Sequence, residues 1–120
     1  MSEARVMTDL ADEVRVAGVS DIPPGEGRAF EVEGVRVAVF RTRSGQVFAT
    51  QAECPHKRGP LADGLVGGTT VVCPLHDRIY DLATGAALVG ECDIRTYPVR
   101  VARDGAILLT LPRDGAAATA

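Results

Sequence analysis

Phe30-Glu31-Val32-Glu33-Gly34-Val35-Arg36-Val37-Ala38-Val39 decides the fold class. Apolar and charged residues alternate up to Glu33-Gly34, a two-residue hairpin turn, and Val35, Val37 and Val39 then resume the period of two. The same grammar extends outward. Upstream, Glu13 to Val19 alternates with Val14, Val16 and Gly18 on one side, and Ser20-Asp21-Ile22-Pro23-Pro24-Gly25 is a turn cluster. Downstream, Arg43-Ser44-Gly45 turns into a strand from Gln46 to Thr50. Late in the chain, strands from Thr96 to Ala102 and from Ala106 to Leu111 flank the turn Arg103-Asp104-Gly105. No window of about 11 residues carries a helical stripe. The pattern predicts an all-β domain of stacked antiparallel sheets, and a small sandwich with no site fits it equally well.

The middle of the chain breaks the pattern. From Gln51 to Leu88 the period is lost and Gly59-Pro60, Gly64, Gly67-Gly68, Pro74 and Gly85 crowd in. A long irregular stretch inside a compact domain is usually functional, so residues 51–88 are expected to form a small inserted subdomain. The expected division is a flexible N-terminus over 1–12, one domain over 13–112, and a flexible tail over 113–120. With 120 residues the chain is long enough for one domain with its own core. It carries 13 basic and 16 acidic side chains, a net charge of −3, and this balance argues against nucleic-acid binding by general electrostatics. Lys57 is the only lysine and no basic block addresses a membrane surface. No apolar run approaches the roughly 18 residues of a membrane span, and the first residues lead into no secretory signal. Three cysteines are too few for a disulfide framework. The expected location is the cytoplasm.

Both histidines and two of the three cysteines fall in the irregular middle, as Cys54-Pro55-His56 and Cys73-Pro74-Leu75-His76. Each piece pairs one thiol with one imidazole, and 16 residues separate His56 from Cys73, enough for a hairpin to bring the two pieces together. Thiolate and imidazole on one centre suit zinc, iron or an iron–sulfur cluster. Coincidence is disfavoured, because both histidines in the chain sit beside a cysteine. A structural zinc site usually pairs like with like, C-x₂₋₄-C and H-x₃₋₅-H, and the pairing here is mixed.

The motif Cys54-x-His56-x₁₆-Cys73-x-x-His76 resembles the signature of the Rieske [2Fe–2S] family, in which two histidines replace two cysteines on one iron. The flanks agree: Gly59-Pro60-Leu61 and Asp63-Gly64 after the first loop, Tyr80-Asp81-Leu82-Ala83-Thr84-Gly85 after the second, and the Arg95-Thr96-Tyr97-Pro98-Val99 strand. The resemblance runs from about Val14 to Leu111. It implies a Rieske-like fold with an inserted cluster-binding subdomain and one [2Fe–2S] cluster per chain. Cys54 and Cys73 would hold the inner iron, and His56 and His76 the outer. The protein would be a one-electron carrier with no catalytic site of its own. The bc-type relatives bridge the ligand loops by a disulfide; Gly59 and Leu75 stand at the corresponding positions, so no bridge is expected. Arg78 stands where those relatives place a serine that bonds a bridging sulfur. Tyr80 stands where a phenol can bond a ligand cysteine, or can simply pack under the loops.

Two subgroups compete. The run from Cys54 to Val66 and the run Ile94-Arg95-Thr96-Tyr97-Pro98-Val99-Arg100-Val101 look most like the small subunit of NADH-dependent assimilatory nitrite reductase. That resemblance implies nitrate assimilation, with a flavoprotein reductase or a large nitrite reductase subunit as partner. The alternative is the ferredoxin of an aromatic-ring dioxygenase, with an oxygenase component as partner. From another class stands a zinc-binding or structural interaction module on the same fold. Cys92 lies outside both loops and reads as a simple thiol. Lys57 and Arg58 either steer an acidic partner or face solvent, and Asp77 either orients His76 or faces water. Phe30, Phe40, Phe48 and Tyr97 read as strand packing.

Overall fold

The computed structural model describes residues 11–55, 59–74, 78–90 and 92–112. The strands run in chain order β1 (Ala11–Gly18), β2 (Glu26–Val32), β3 (Val35–Arg41), β4 (Val47–Gln51), β5 (Leu65–Gly67), β6 (Thr70–Val72), β7 (Ile79–Asp81), β8 (Ala87–Val89), β9 (Thr96–Tyr97), β10 (Val99–Val101) and β11 (Ala106–Pro112). They form three antiparallel sheets ordered β1-β11-β10, β2-β3-β4-β9 and β5-β6-β7-β8. The fold is all-β, as the period of two predicts. Of the ends expected to be flexible, 1–12 and 113–120, residues 1–10 and 113–120 lie outside the described residues, and Ala11 and Asp12 belong to β1.

The decisive hairpin is β2–β3. Val32 pairs with Val35, and Glu33 and Gly34 between them take φ of 51° and 81°. Two positive φ angles in succession make the twisted turn that suits a hairpin. β3 then does more than its valines foretell. Val37 and Val39 face one core with Ile22, Ala49, Ile107 and Leu109, while Ala38 and Phe40 face a second core with Leu61, Val71 and Leu82. All four β3 residues are fully buried. The β2-β3-β4-β9 sheet is therefore the middle layer, covered on both faces. Burying a side chain such as Phe40 or Ile107 stabilises by about 1.5–3 kcal/mol, so each core independently fixes the register of β3.

Three boundaries differ from the sequence reading. β1 begins at Ala11 and ends at Gly18, because Val19 opens a 3₁₀ turn (Val19–Asp21) in which the Asp21 carboxylate accepts from the Gly18 N–H at 2.9 Å. The single strand expected from Thr96 to Ala102 is two strands. Pro98 has no N–H to continue a ladder; β9 ends before it against β4, and β10 begins after it against β11. The stretch read as irregular over 51–88 holds the strands β5–β7 and the start of β8, which runs on to Val89, each of three residues, too short to display a period.

Candidate metal centre

Two loops of the same construction carry the cysteines. The first leaves β4, reaches Cys54 and returns at Gly59; the second leaves β6, reaches Cys73 and returns at Arg78. In each, the cysteine N–H donates to the carbonyl five residues on: Cys54 to Gly59 at 2.8 Å and Cys73 to Arg78 at 2.7 Å. The first loop is further pinned by the Leu61 N–H, which donates to the Ala52 carbonyl at 3.0 Å, and by a bridge between Glu53 and Pro60. In the second, β6 and β7 pair immediately on either side, Val72 opposite Ile79.

What joins the loops is a close backbone approach. A Cβ on Gly64, just beyond the first loop, would lie 2.3 Å from the Val72 carbonyl oxygen, one residue before Cys73. Only a residue without a Cβ lets the chain leaving one loop touch the strand entering the other. The result is that Cys54 and Cys73 sit in one core, 0% and 1% exposed, and neither is in a disulfide.

Tyr80 lies beneath them in the same core. Its Oη is 3.1 Å from the Cys54 Sγ. Burial, and next the Cys54 sulfur, push the phenol well above its usual range, so at neutral pH it keeps a proton that it can donate to a thiolate sulfur. Of the two roles open to Tyr80 in the sequence, sulfur bonding holds, and packing holds with it.

His56, Lys57, Arg58, Leu75, His76 and Asp77 lie outside the described residues. Cys92 is exposed and lies outside both loops in sequence. Gln51 is a residue that sequence reasoning passes over. Its side chain donates to the Glu53 carbonyl at 2.7 Å and accepts from the Arg95 N–H at 2.8 Å. A glutamine at the end of a strand carries no spacing signal, so nothing in the sequence marks it. The Arg36–Glu53 ion pair at 3.1 Å, next to Cys54, is equally unmarked.

The donor chemistry fits an iron–sulfur cluster. Two buried thiols are soft ligands for iron, they sit at the mouths of twin loops each of which continues to a histidine in sequence, and a buried phenol lies within hydrogen-bond distance of one sulfur. Among the described residues no helix is long and apolar enough to cross a membrane.

Residues 12–98 match the Rieske [2Fe-2S] domain family. The ferredoxin component of the naphthalene 1,2-dioxygenase/salicylate 5-hydroxylase systems of Ralstonia sp is 34% identical over 90 residues, covering 73% of this chain and 86% of that protein. Nitrite reductase [NAD(P)H] of Emericella nidulans is 38% identical over 106 residues, covering 78% of this chain and 9% of that protein. The structure is similar to that of the Sphingomonas yanoikuyae B1 ferredoxin, with a TM-score of 0.75 and 35% identity over 84% of this chain and all of that one, 100%. With its three stacked sheets and paired thiol loops, the chain belongs to the Rieske [2Fe–2S] family, and it is an electron carrier whose cofactor is a [2Fe–2S] cluster.

Proposed function

We propose that this chain is the small subunit of an NADH-dependent nitrite reductase, receiving single electrons from a flavin-bearing partner and passing them toward the site of nitrite reduction. The observation that carries this reading is the run from Cys54 to Val66 with the run from Ile94 to Val101, supported by 38% identity to a nitrite reductase over 106 residues. A second reading has its own support: ferredoxin components of dioxygenase systems match over 86% of their length, and on that reading the acceptor is an oxygenase. The test is a reoxidation assay. The reduced protein is mixed with a nitrite reductase large subunit plus nitrite, and separately with a ring-hydroxylating oxygenase plus its substrate. Rapid reoxidation by the first alone supports the nitrite reductase reading; rapid reoxidation by the second alone replaces it with the dioxygenase reading.

In this proposal Cys54, His56, Cys73 and His76 hold the cluster, the thiolates on the inner iron and the imidazoles on the outer. The bound cluster supplies a one-electron couple. The residues of the chain do the rest. Cys54 and Cys73, buried between the two loops, shield the inner end from water. His56 and His76 would hold the outward end, where a partner would approach. Tyr80 donates to the Cys54 sulfur, which favours the more negative, reduced state, because added electron density on the sulfur strengthens that hydrogen bond.

Two results are expected from this arrangement. Tyr80→Phe removes the donor and keeps the packing, so the midpoint potential falls. A hydrogen bond worth about 1 kcal/mol more in the reduced state corresponds to about 40 mV for one electron, measured by protein-film voltammetry; an unchanged midpoint would show that the phenol does not act on the couple. The wild-type midpoint itself is expected near the bottom of the roughly −150 to +300 mV Rieske range. Arg78 replaces the sulfur-bonding serine and Gly59 and Leu75 replace the loop disulfide, and together these outweigh the single Tyr80 bond. A midpoint above about +100 mV, in the upper part of that range, would overturn this weighing.

A further inference from the structure

Gln51 closes β4, and its side chain reaches two main-chain groups at once. Oε1 accepts from the Arg95 N–H at 2.8 Å, and Nε2 donates to the Glu53 carbonyl at 2.7 Å. The Gln51 main-chain N–H meanwhile donates to the Arg95 carbonyl at 2.9 Å. The β4–β9 ladder has only two pairs, Ala49 with Tyr97 and Thr50 with Thr96, so the Gln51 side chain carries the tie past the end of the ladder.

Both ends of this tie matter. Arg95 follows Ile94, which is buried in the second core beside Cys54, Cys73 and Tyr80 and whose N–H donates to the Gly85 carbonyl at 2.8 Å. The Glu53 carbonyl belongs to the peptide whose N–H is that of Cys54, and that N–H donates to the Gly59 carbonyl at 2.8 Å. The hydrogen bonds therefore form a continuous run: Arg95 N–H, the Gln51 amide, the Glu53–Cys54 peptide, the Gly59 carbonyl. Bonds in such a run polarise and strengthen one another.

We propose that Gln51 is the positioning residue for Cys54. Through this run it fixes the orientation of the Glu53–Cys54 peptide, and with it the direction in which the Cys54 sulfur is presented. It also holds the first loop to the segment bearing Ile94 and Arg95. The proposal rests on the reading of Cys54 as a cluster ligand. The task needs one donor and one acceptor on a single neutral planar group. A carboxylate offers only acceptors at neutral pH and a thioether offers no donor, whereas a glutamine amide supplies both.

The test uses the cluster-loaded full chain and three variants. Gln51→Met keeps length and neutrality and loses both bonds. Gln51→Glu keeps the acceptor for Arg95 and sets a carboxylate oxygen against the Glu53 carbonyl. Ile107→Val lowers stability from the other core and serves as the control. Three properties are read: the rate at which excess EDTA bleaches the visible absorbance, the g-values of the reduced protein, and hydrogen exchange at the Cys54 amide by mass spectrometry. Gln51→Met is expected to bleach about tenfold faster, as the loss of one to two net hydrogen bonds at the loop predicts, with shifted g-values and faster exchange at Cys54. Gln51→Glu is expected to change in the same direction, and Ile107→Val to match wild type in all three. Bleaching and exchange in Gln51→Met equal to wild type would overturn the proposal, as would bleaching no faster than in Ile107→Val at the same melting temperature. Should Gln51→Met fail to fold, Gln51→Glu decides by the same criteria. A wild-type protein with no visible cluster is a failure of the ligand reading instead, and Cys54 exchange alone then decides whether Gln51 holds the loop.

Discussion

Replacing His56 or His76 by alanine is expected to abolish the visible and electron paramagnetic resonance spectra of the cluster. Alanine offers no donor atom, and a cluster deprived of a ligand takes water or is lost, because ligand identity sets its electronic structure. The two thiols give an internal comparison. Cys54 and Cys73 are buried and share the second core with Phe40, Leu61 and Tyr80, so Cys54→Ala or Cys73→Ala is expected to lose the cluster and also to leave Tyr80 without its sulfur or the core short of volume. The histidine variants are expected to fold as well as wild type without cluster, and the cysteine variants to melt lower. A histidine variant with an unchanged spectrum would remove that residue from the ligand set.

Gly64→Ala is expected to cost about 3 kcal/mol and to lower the melting temperature by roughly 10 °C. The added Cβ would stand 2.3 Å from the Val72 carbonyl oxygen and 2.9 Å from a Val71 methyl, and neither backbone nor buried Val71 can yield cheaply. Relief requires the chain after the first loop to move away from the strand before Cys73. The variant should therefore hold its cluster poorly even where it remains folded, with bleaching by a chelator faster than in wild type. Differential scanning calorimetry with chelator-driven bleaching checks both parts. A variant that melts and bleaches as wild type would show that this contact does not set the spacing of the loops.

The parts of the fold that the sequence displays are those with room for a period. Seven-residue strands such as β2 and β3 alternate plainly, and Glu33-Gly34 announces the turn between them. The burial of Ala38 and Phe40 on the opposite face of β3 is not visible in the alternation of its valines, because a middle layer is apolar on both faces and its period is partly erased. The switch of sheets at Pro98 depends on which strands stand nearby, a long-range fact, although the missing N–H was there to be noticed. β5 to β8 hide among glycines and prolines because three residues cannot show alternation. At the site, the spacing of Cys54 and Cys73 makes two loops of one kind legible, and the structure brings their thiols into one core. The Tyr80–Cys54 bond and the Gln51 tie join residues 26 and 44 positions apart, and no local pattern records such pairings. The Gly64 approach to Val72 has a trace, a glycine among the flanks of the motif, with its partner unspecified.

The central claim is that Cys54, His56, Cys73 and His76 hold a one-electron [2Fe–2S] centre in this chain. Metal and sulfide analysis of the purified full-length protein, combined with electron paramagnetic resonance after dithionite reduction, tests it most directly. The account predicts a brown-red protein with iron and acid-labile sulfide in equal amounts and the low-average-g signal of a cluster with imidazole ligands on one iron. A colourless protein containing stoichiometric zinc and no labile sulfide would contradict it.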